Sequence, residues 1–336
     1  MLVASLRFNL HEPGPLRRLS DAARAAPYGH PIDVEGYIRL GEYFRHRVPA
    51  DSLIQPFSYR PLIPFAASLL PFRVETSINL INLLSLAVAI VLLDFLLLEL
   101  GFVTRYRTVG CLMFSFSFPT FYYGAIGFLD PVVALMVILM GYMAIRGKHV
   151  AFLITLALSV LVKETNAAFS VLPALVNPGG ERRAGTYARF GAYVLACVVL
   201  ILFCRRLSPS GEASWFWNAG LGNVRDNLAR LRTYFTFLIT VGIPAPFALL
   251  AVTTGKAEQT LGRPLYRFLI GGCLISTVLY IASIVAGYAD GRVIWVIYPF
   301  GIPLALTWFQ RAVSPPTRSR LPSQNVIEIP VRTGAG

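Results

Sequence analysis

The sequence predicts an all-α membrane protein, a polytopic bundle of about nine spanning helices. Three observations lead to this fold class. Hydrophobic residues make up 55% of the 336 residues, charged residues only 14%, and the mean hydropathy is +0.61, which is too apolar for a soluble domain of this size. The apolar residues form runs, several near the roughly 20 residues that cross a bilayer. The basic residues, which give a net charge of +13, lie mainly in the breaks between runs and indicate loops beside anionic lipid headgroups.

The N-terminal segment, residues 1–59, contains neither a spanning run nor a signal peptide with an apolar core. Residues 33–47, DVEGYIRLGEYFRHR, place aromatic and leucine side chains at helical spacing beside a basic face, which is typical of a helix lying in the membrane interface. Two interpretations stay open. Either the chain lacks a first transmembrane helix, of which MLVASLRF is the end, or the segment consists of interfacial helices alone.

The spanning helices follow over residues 60–310, and residues 311–336 form a short tail that we expect to be disordered. One long apolar run is divided in two by the polar residues KETN at 163–166. The predicted crossings are 78–100, 108–127, 131–146, 150–163, 166–177, 190–204, 233–252, 268–288 and 293–310.

Positive charge predicts the orientation of the bundle. The breaks after the first, third, fifth, seventh and ninth crossings are basic, which places these breaks and the C-terminus in the cytoplasm. Their basic residues are Arg105 and Arg107, Arg146 and Lys148, Arg182, Arg183 and Arg189, Lys256, Arg263 and Arg267, and Arg311, Arg318 and Arg320. One loop departs from this rule, because residues 205–232 carry five arginines and fall on the outer side.

The other breaks gather charged and aromatic residues on the outer face. Ionisable groups at membrane depth are costly and usually mark a functional cavity. We therefore expect a site on this face, and its candidate residues are Arg60, Asp130, Lys163, Glu164, Trp215, Trp217, Asp290 and Arg292.

Each candidate also has a purely structural interpretation. Lys163 and Glu164 can form an ion pair at a helix end, and Asp130 before Pro131 can cap a helix. The remaining structural interpretations are a charge on a solvated loop for Asp33, a re-entrant anchor for Arg60, a local pair in a turn for Asp290 and Arg292, and interfacial belt aromatics for Trp215 and Trp217.

The order of four motifs resembles the polytopic GT-C type glycosyltransferases, which include bacterial aminoarabinose transferases and cell-surface glycopolymer proteins. The motifs are DVEGY with LGEYF and YRPLIPFAASLLP, then YYGAIGFLDPVVALMV, then LALSVLVKETNAAFSVLPALV, and finally DGRVIWVIYPFGIPLAL. The resemblance implies a GT-C-like bundle in the bacterial inner membrane. It also implies transfer of a sugar from a polyprenyl-phosphate carrier to a glycan or lipid acceptor on the extracytoplasmic side.

The resemblance assigns roles to individual residues. Asp33 matches the acid that acts as base or positions the acceptor, with Glu35 as the near alternative, and Asp130 matches the acid of the LDP motif. Lys163 matches a lysine that contacts the carrier phosphate. The chain departs from the family by lacking an evident first helix and by having only a short C-terminal tail.

The chemistry of such a transfer needs one carboxylate near the acceptor and cations on the phosphate, because the transition state is oxocarbenium-like and the leaving group is anionic. Lys163 suits the phosphate as a compact charge, and Arg292 or Arg60 can bind phosphate oxygens with two hydrogen bonds. Further sugar or acceptor contacts are expected from Trp215, Trp217, Glu164 and Asp290.

The sequence predicts no cofactor, no metal site and no nucleic-acid partner. The four histidines form no i, i+3 or i, i+4 pair, and a need for a divalent metal stays open. Two other functional classes also stay open. A transporter or flippase would use broken helices such as those at KETN and at Pro244 and Pro246, and an inactive scaffold subunit would fit a chain without the first helix.

Overall fold

The computed structural model describes residues 32–122, 124, 127–176, 183–208, 212–213, 220–286 and 291–313. Regular structure in these residues is almost entirely helical. The α-helices are α1 (Ile32–Phe44), α2 (Leu62–Ser68), α3 (Val74–Glu99), α4 (Thr104–Ser115), α5 (Phe118–Tyr122), α6 (Asp130–Ile145), α7 (His149–Val162), α8 (Leu172–Val176), α9 (Arg183–Leu207), α10 (Leu221–Ala229), α11 (Leu231–Val241), α12 (Pro244–Thr253), α13 (Lys256–Leu261), α14 (Arg263–Ala286) and α15 (Tyr298–Val313). The 3-10 helices are Ala50–Ser52, Phe57–Tyr59, Glu164–Val171 and Gly291–Ile297.

The described residues form a helical bundle, as predicted, and in addition one very short β-sheet. Two strands of two residues each, β1 (Ile54–Gln55) and β2 (Glu212–Ala213), pair in parallel. A ladder of this length adds only a local link between the N-terminal segment and the chain that follows α9. The N-terminal residues MLVASLRF and most of the predicted tail lie outside the described residues.

The described residues contain four helices that are long and apolar enough to cross a membrane, namely Val74–Glu99, Gly185–Leu207, Arg263–Ala286 and Gly291–Gln310. A fifth crossing results if α11 and α12, which meet at an angle of 73°, form one broken span. α6 and α7 are apolar but have only 16 and 14 residues, short of the roughly 20 that a bilayer needs. The described residues therefore supply four or five helices of sufficient length, and nine crossings stay a prediction.

Two glycines end helices on the side of the bundle opposite the KETN break. Gly101 (φ 83°) and Gly147 (φ 63°) adopt the left-handed conformation, which only glycine enters without steric cost. Both complete a Schellman motif, in which the N–H groups of the glycine and of the following residue donate to carbonyls of the last helical turn. At the end of α3, Gly101 N donates to Leu98 O at 2.9 Å and Phe102 N donates to Leu97 O at 3.1 Å. Arg146 then joins the two ends by donating to Glu99 Oε1 at 2.6 Å.

The core lies between α3, α6, α7, α14 and α15. The segment Gly291–Gln310, which includes the last 3-10 helix and most of α15, is the most enclosed of the four candidate spans, because 72% of its apolar window is buried inside the protein. Gly272 of α14 lets the ring of Phe300 approach closely, since an added Cβ would lie 2.2 Å from Phe300 Cδ1. Phe268 and Phe169 pack on the same ring, at centroid distances of 5.6 and 6.1 Å.

α1 confirms the helix expected in the N-terminal segment. Its residues Val34, Tyr37 and Leu40 are buried, so the helix packs on the bundle. Just beyond its end, Arg45 donates to the backbone oxygens of Ala67, Ser68 and Leu70 at 3.1, 3.0 and 2.5 Å. These carbonyls lie at the end of α2 and just beyond it, so Arg45 ties α1 to α2. Placement of α1 in a membrane interface stays a prediction.

The KETN break has a different shape from the one predicted. α7 ends at Val162, Lys163 is extended (φ −158°, ψ 118°), and residues Glu164–Val171 form a 3-10 helix before the short α8. The prediction of an α-helix over 166–177 was therefore wrong. Pro173 has no N–H to donate to Phe169, which removes one α-helical bond from this segment.

Candidate functional site

A charged cavity of about 270 Å³ lies where α6 begins and α7 ends. Six charged side chains line it, three carboxylates and three cations. They are Asp33, Asp130 and Glu164, and Arg60, Lys163 and Arg292. These side chains come from α1, from the segment before α2, from α6, from the KETN break and from the 3-10 helix before α15. The tertiary structure thus brings together six predicted site residues from distant parts of the sequence.

Arg60 and Glu164 form an enclosed ion pair in this cavity. Arg60 Nε and Nη2 each donate to a different oxygen of Glu164 at 2.6 Å, and Nη1 donates to Tyr37 Oη at 2.9 Å. The side chains are only 9% and 15% exposed. Two parallel hydrogen bonds match the planar guanidinium to the carboxylate. The pair joins residues that are 104 positions apart in the chain.

The charge states of this pair follow from its surroundings. Burial opposes ionisation of Glu164, but the charge of Arg60 and its hydrogen bonds outweigh burial and hold the pKa of Glu164 below its usual value. Burial likewise opposes the charge of Arg60, and Glu164 and Tyr37 keep the pKa of the guanidinium above its usual value. Burial raises the pKa of Tyr37 to about 12. Arg60 and Glu164 are therefore charged and Tyr37 is neutral at neutral pH.

A second cluster joins Lys163, Asp130, Arg292 and Asp33. Lys163 Nζ donates to Asp130 Oδ1 at 3.1 Å. Arg292 donates to Asp33 Oδ2, and its Nη1 lies 3.8 Å from Asp130 Oδ2. Arg292 therefore bridges the two aspartates. The local pair between Lys163 and its neighbour Glu164 is not the arrangement found, because each takes a partner far away in sequence.

Asp130 is placed by the start of α6 but does not cap it. Leu129 occupies the N-cap position and no side-chain hydrogen bond closes the helix end, so the structural interpretation of Asp130 as a cap was wrong. Asp130 is the first residue of α6 and Pro131 the second, in the first turn, where a missing N–H costs nothing. The carboxylate of Asp130 is thereby left for Lys163 and Arg292, and it still gains from the positive end of the helix dipole.

Arg292 is placed by its neighbour Gly291. The N–H of Gly291 donates to Thr236 Oγ1 of α11 at 3.2 Å, and an added Cβ on Gly291 would lie 2.2 Å from the Thr236 carbonyl oxygen. No side chain fits there, so this close backbone contact requires glycine. The guanidinium carbon of Arg292 lies 4.0 Å from the centre of the Phe128 ring, a cation–π contact that orients it further.

One wall of the cavity is apolar. Leu279, Ala282 and Ala286 come from the last two turns of α14, and Pro56 and Phe57 come from the N-terminal segment. Leu129 before α6 and Val293 of the last 3-10 helix complete this wall. A site with charges on one side and hydrocarbon on the other suits an amphiphilic substrate, whose anionic group meets Lys163 and Arg292 while its apolar part meets α14.

Among the predicted residues that the structure describes, Glu35 is not brought into this cavity. Glu35 is buried but bonds Arg39 within α1 and does not line the cavity. Residues i and i+2 of a helix face different directions, so Asp33 and Glu35 cannot share one site. Trp215, Trp217 and Asp290 lie outside the described residues.

Tyr37 is a site residue that the sequence reasoning missed. It lines the cavity and accepts a hydrogen bond from Arg60. The signal for it was present, because Tyr37 follows Asp33 by four residues and lies on the same face of α1. Thr165 and Ser283 also line the cavity, and their chain positions alone give no comparable signal.

Within the part of the chain that the structure describes, histidine, cysteine, aspartate and glutamate side chains form no group of three or more that could hold a metal ion. The carboxylates of the cavity are instead held by arginine and lysine. Comparison with known proteins adds no assignment, because no family model, no curated protein and no solved structure matches the chain. A function must therefore be argued from the site.

Proposed function

We propose that this protein is a membrane glycosyltransferase that moves a sugar from a polyprenyl-phosphate carrier to a glycan or lipid acceptor. The observation that supports it best is the cavity in which Asp33 and Asp130 lie beside Lys163 and Arg292, next to an apolar wall. A carboxylate for the acceptor, cations for a phosphate and hydrocarbon for a lipid chain are the parts that this reaction needs. The proposal includes the GT-C-like nine-crossing topology and the extracytoplasmic active face in a bacterial inner membrane.

Asp33 is the proposed catalytic base. Its carboxylate takes the proton of an acceptor hydroxyl as that oxygen bonds to the anomeric carbon. The bond from this carbon to the phosphate oxygen breaks at the same time, and the carrier phosphate leaves with the electron pair. Asp130 is less suited to this role, because both Lys163 and Arg292 approach it, at 3.1 and 3.8 Å, and two nearby cations disfavour protonation.

Lys163 and Arg292 are the proposed phosphate ligands. In the described structure both cations are engaged by aspartates. An incoming phosphate competes for the same cations, so its binding releases Asp33 from Arg292 and leaves the carboxylate available as a base. Arg60 is a weaker candidate ligand than the sequence suggested, since its guanidinium already donates to Glu164 and Tyr37. Its proposed role is to hold the KETN break beside α1.

The proposal is tested with purified protein in proteoliposomes that contain a polyprenyl-phosphate sugar and a candidate acceptor mixture. Asp33→Asn is expected to lower the transfer rate by roughly 10²- to 10⁴-fold, as loss of a general base does, while carrier binding persists. Lys163→Met is expected to weaken carrier binding. Asp94→Asn is the matched control, because Asp94 pairs with Arg107 near the other end of α3. Unchanged transfer by Asp33→Asn and Lys163→Met would refute the proposed roles.

A transporter is the second candidate, and one observation favours it. α11 and α12 meet at an angle of 73° at Gly242 and Ile243, and broken helices at mid-membrane are typical of transporters. α11 also contacts the 3-10 helix that carries Arg292. The two candidates differ in product: a transporter moves the carrier-linked sugar across the bilayer unchanged, whereas the transferase releases carrier phosphate in the same proteoliposomes.

A further inference from the structure

The two asparagines of helix α10 are turned toward α14. Asn223 Nδ2 donates to Val285 O at 3.2 Å, and Asn227 Nδ2 donates to Ile284 O at 2.9 Å. The side chain of Asn227 is fully buried. These carbonyls belong to the last turn of α14, whose final oxygens have no partner within the helix. The asparagines therefore satisfy the end of α14 and hold α10 against it.

The outward face of α10 is apolar with one cation in its middle. Leu221, Arg225 and Leu228 follow at i, i+4 and i+7 and so share one face. Leu221 is 87% exposed, Leu228 48%, and Leu231, just beyond the helix, 82%. A helix that faces water has the opposite arrangement, with polar residues outward and apolar residues inward. Exposed leucines around a central arginine are the arrangement that a helix in a membrane interface has.

Three exposed arginines lie near these leucines in the sequence. Arg225, Arg230 and Arg232 are all exposed, with Asp226 as an exposed acid beside the first of them. An arginine flanked by lipid-facing leucines extends its guanidinium toward the phosphate layer while its stem stays on hydrocarbon. This is the segment whose arginines depart from the charge rule of the other loops, and its location explains why they are there.

We infer that α10 and the start of α11 lie in the headgroup layer at the cavity end of the bundle and bind the phosphates of anionic phospholipids. The leucines between the arginines favour a lipid partner over a soluble acidic glycan, which would not cover them. The surface is next to the cavity, because α10 is hydrogen-bonded to Ile284 and Val285 while Ser283 and Ala286 line the cavity wall. It does not depend on sugar transfer.

The test places the photo-reactive residue p-benzoyl-phenylalanine at position 228 (Leu228→p-benzoyl-phenylalanine) of the full chain. The protein is reconstituted in nanodiscs with equal amounts of phosphatidylglycerol and phosphatidylcholine, and the lipid adducts are measured by mass spectrometry. We expect adducts enriched in phosphatidylglycerol. Arg225→Gln should lower this enrichment by roughly fivefold, as one lost surface cation does, and higher salt should lower it as well.

Matched variants separate charge from structure. Arg225→Lys keeps the charge and should keep the enrichment, and Arg263→Gln, an exposed arginine at the other end of α14, should leave the adducts at position 228 unchanged. Equal adducts with both lipids would overturn the proposed binding of anionic phospholipids. An absence of lipid adducts, or an enrichment abolished by a soluble acidic oligosaccharide, would overturn the membrane placement. Size-exclusion profiles that match the parent protein establish that each variant is folded.

Discussion

Removal of Arg60 from its pair with Glu164 gives the sharpest test of the site's construction. The variant Arg60→Met keeps the length and apolar stem of the side chain but leaves Glu164, 15% exposed, without its cation. Breaking a buried ion pair on one side costs about 3–5 kcal/mol, and loss of the bond to Tyr37 adds about 1 kcal/mol. Because both side chains line a cavity of about 270 Å³ and are not fully enclosed, we expect a total near the lower limit, about 4 kcal/mol.

The opposite change costs less. In Glu164→Gln the amide oxygen still accepts one hydrogen bond from Arg60, so we expect a loss of about 2 kcal/mol, as for a charged hydrogen bond. The double variant should be more stable than the sum of the two losses predicts, by about 1–3 kcal/mol, since it contains neither unpaired charge. The assay is unfolding by denaturing detergent in mixed micelles, followed by helical circular dichroism.

A surface pair gives the matched control. Arg47 and Glu42 lie 3.3 Å apart with the arginine side chain 63% exposed, so Arg47→Met should cost less than about 1 kcal/mol. Equal losses for Arg60→Met and Arg47→Met, or additive losses in the double variant, would refute the reasoning that burial and two-bond geometry make the Arg60–Glu164 pair strong.

The pair also predicts how stability depends on pH. The pKa of Glu164 is lower in the folded protein than its ordinary value of 4.5, so the unfolded chain binds a proton at a higher pH than the folded one. The contribution of Glu164 is therefore fully present above its ordinary pKa and is lost as the pH falls through its folded value. As the pH is lowered from about 5, the free energy of unfolding should fall more for the wild-type protein than for Glu164→Gln, measured by the same detergent unfolding.

Three further predictions follow from single contacts. Gly291→Ala should lower activity by roughly tenfold or more while the helices persist, because the added Cβ meets the Thr236 carbonyl and moves Arg292; transfer rate and circular dichroism together check this. Tyr37→Phe should remove the ultraviolet signal of one tyrosine that ionises near pH 12 in a spectrophotometric titration. Asn227→Ala should destabilise the fold by about 1–3 kcal/mol, because a buried carbonyl at the end of α14 loses its donor; thermal unfolding in detergent measures this loss.

Helix positions were well predicted where composition alone decides them. Apolar runs mark α3, α9 and α14, because hydrocarbon and the need to satisfy every backbone group both favour helix. Prediction was poorer where helices are short. α6 and α7 pass the composition test but not the length test, and Glu164–Val171 is a 3-10 helix, since neighbouring elements rather than hydropathy decide where such segments end.

The charged residues that gather at the cavity were predicted as a set, but their partners were not. Breaks that fall on one side of a bundle bring their charges to one end, and this follows from counting crossings. The choice of partner depends on how α1 lies against α6 and α7. The neighbours Lys163 and Glu164 consequently bond Asp130 and Arg60, 33 and 104 positions away.

By itself, the sequence determined that the chain is largely helical and contains apolar runs that could span a membrane, with ionisable residues in the breaks between them. Only the tertiary structure decided the pairing of Lys163 with Asp130 and the exclusion of Glu35 from the cavity. It also decided that the asparagines of α10 face α14 while its leucines are exposed. The physical reason is that a hydrogen bond requires atoms within about 3 Å, and that distance is set by helix packing between segments far apart in the chain.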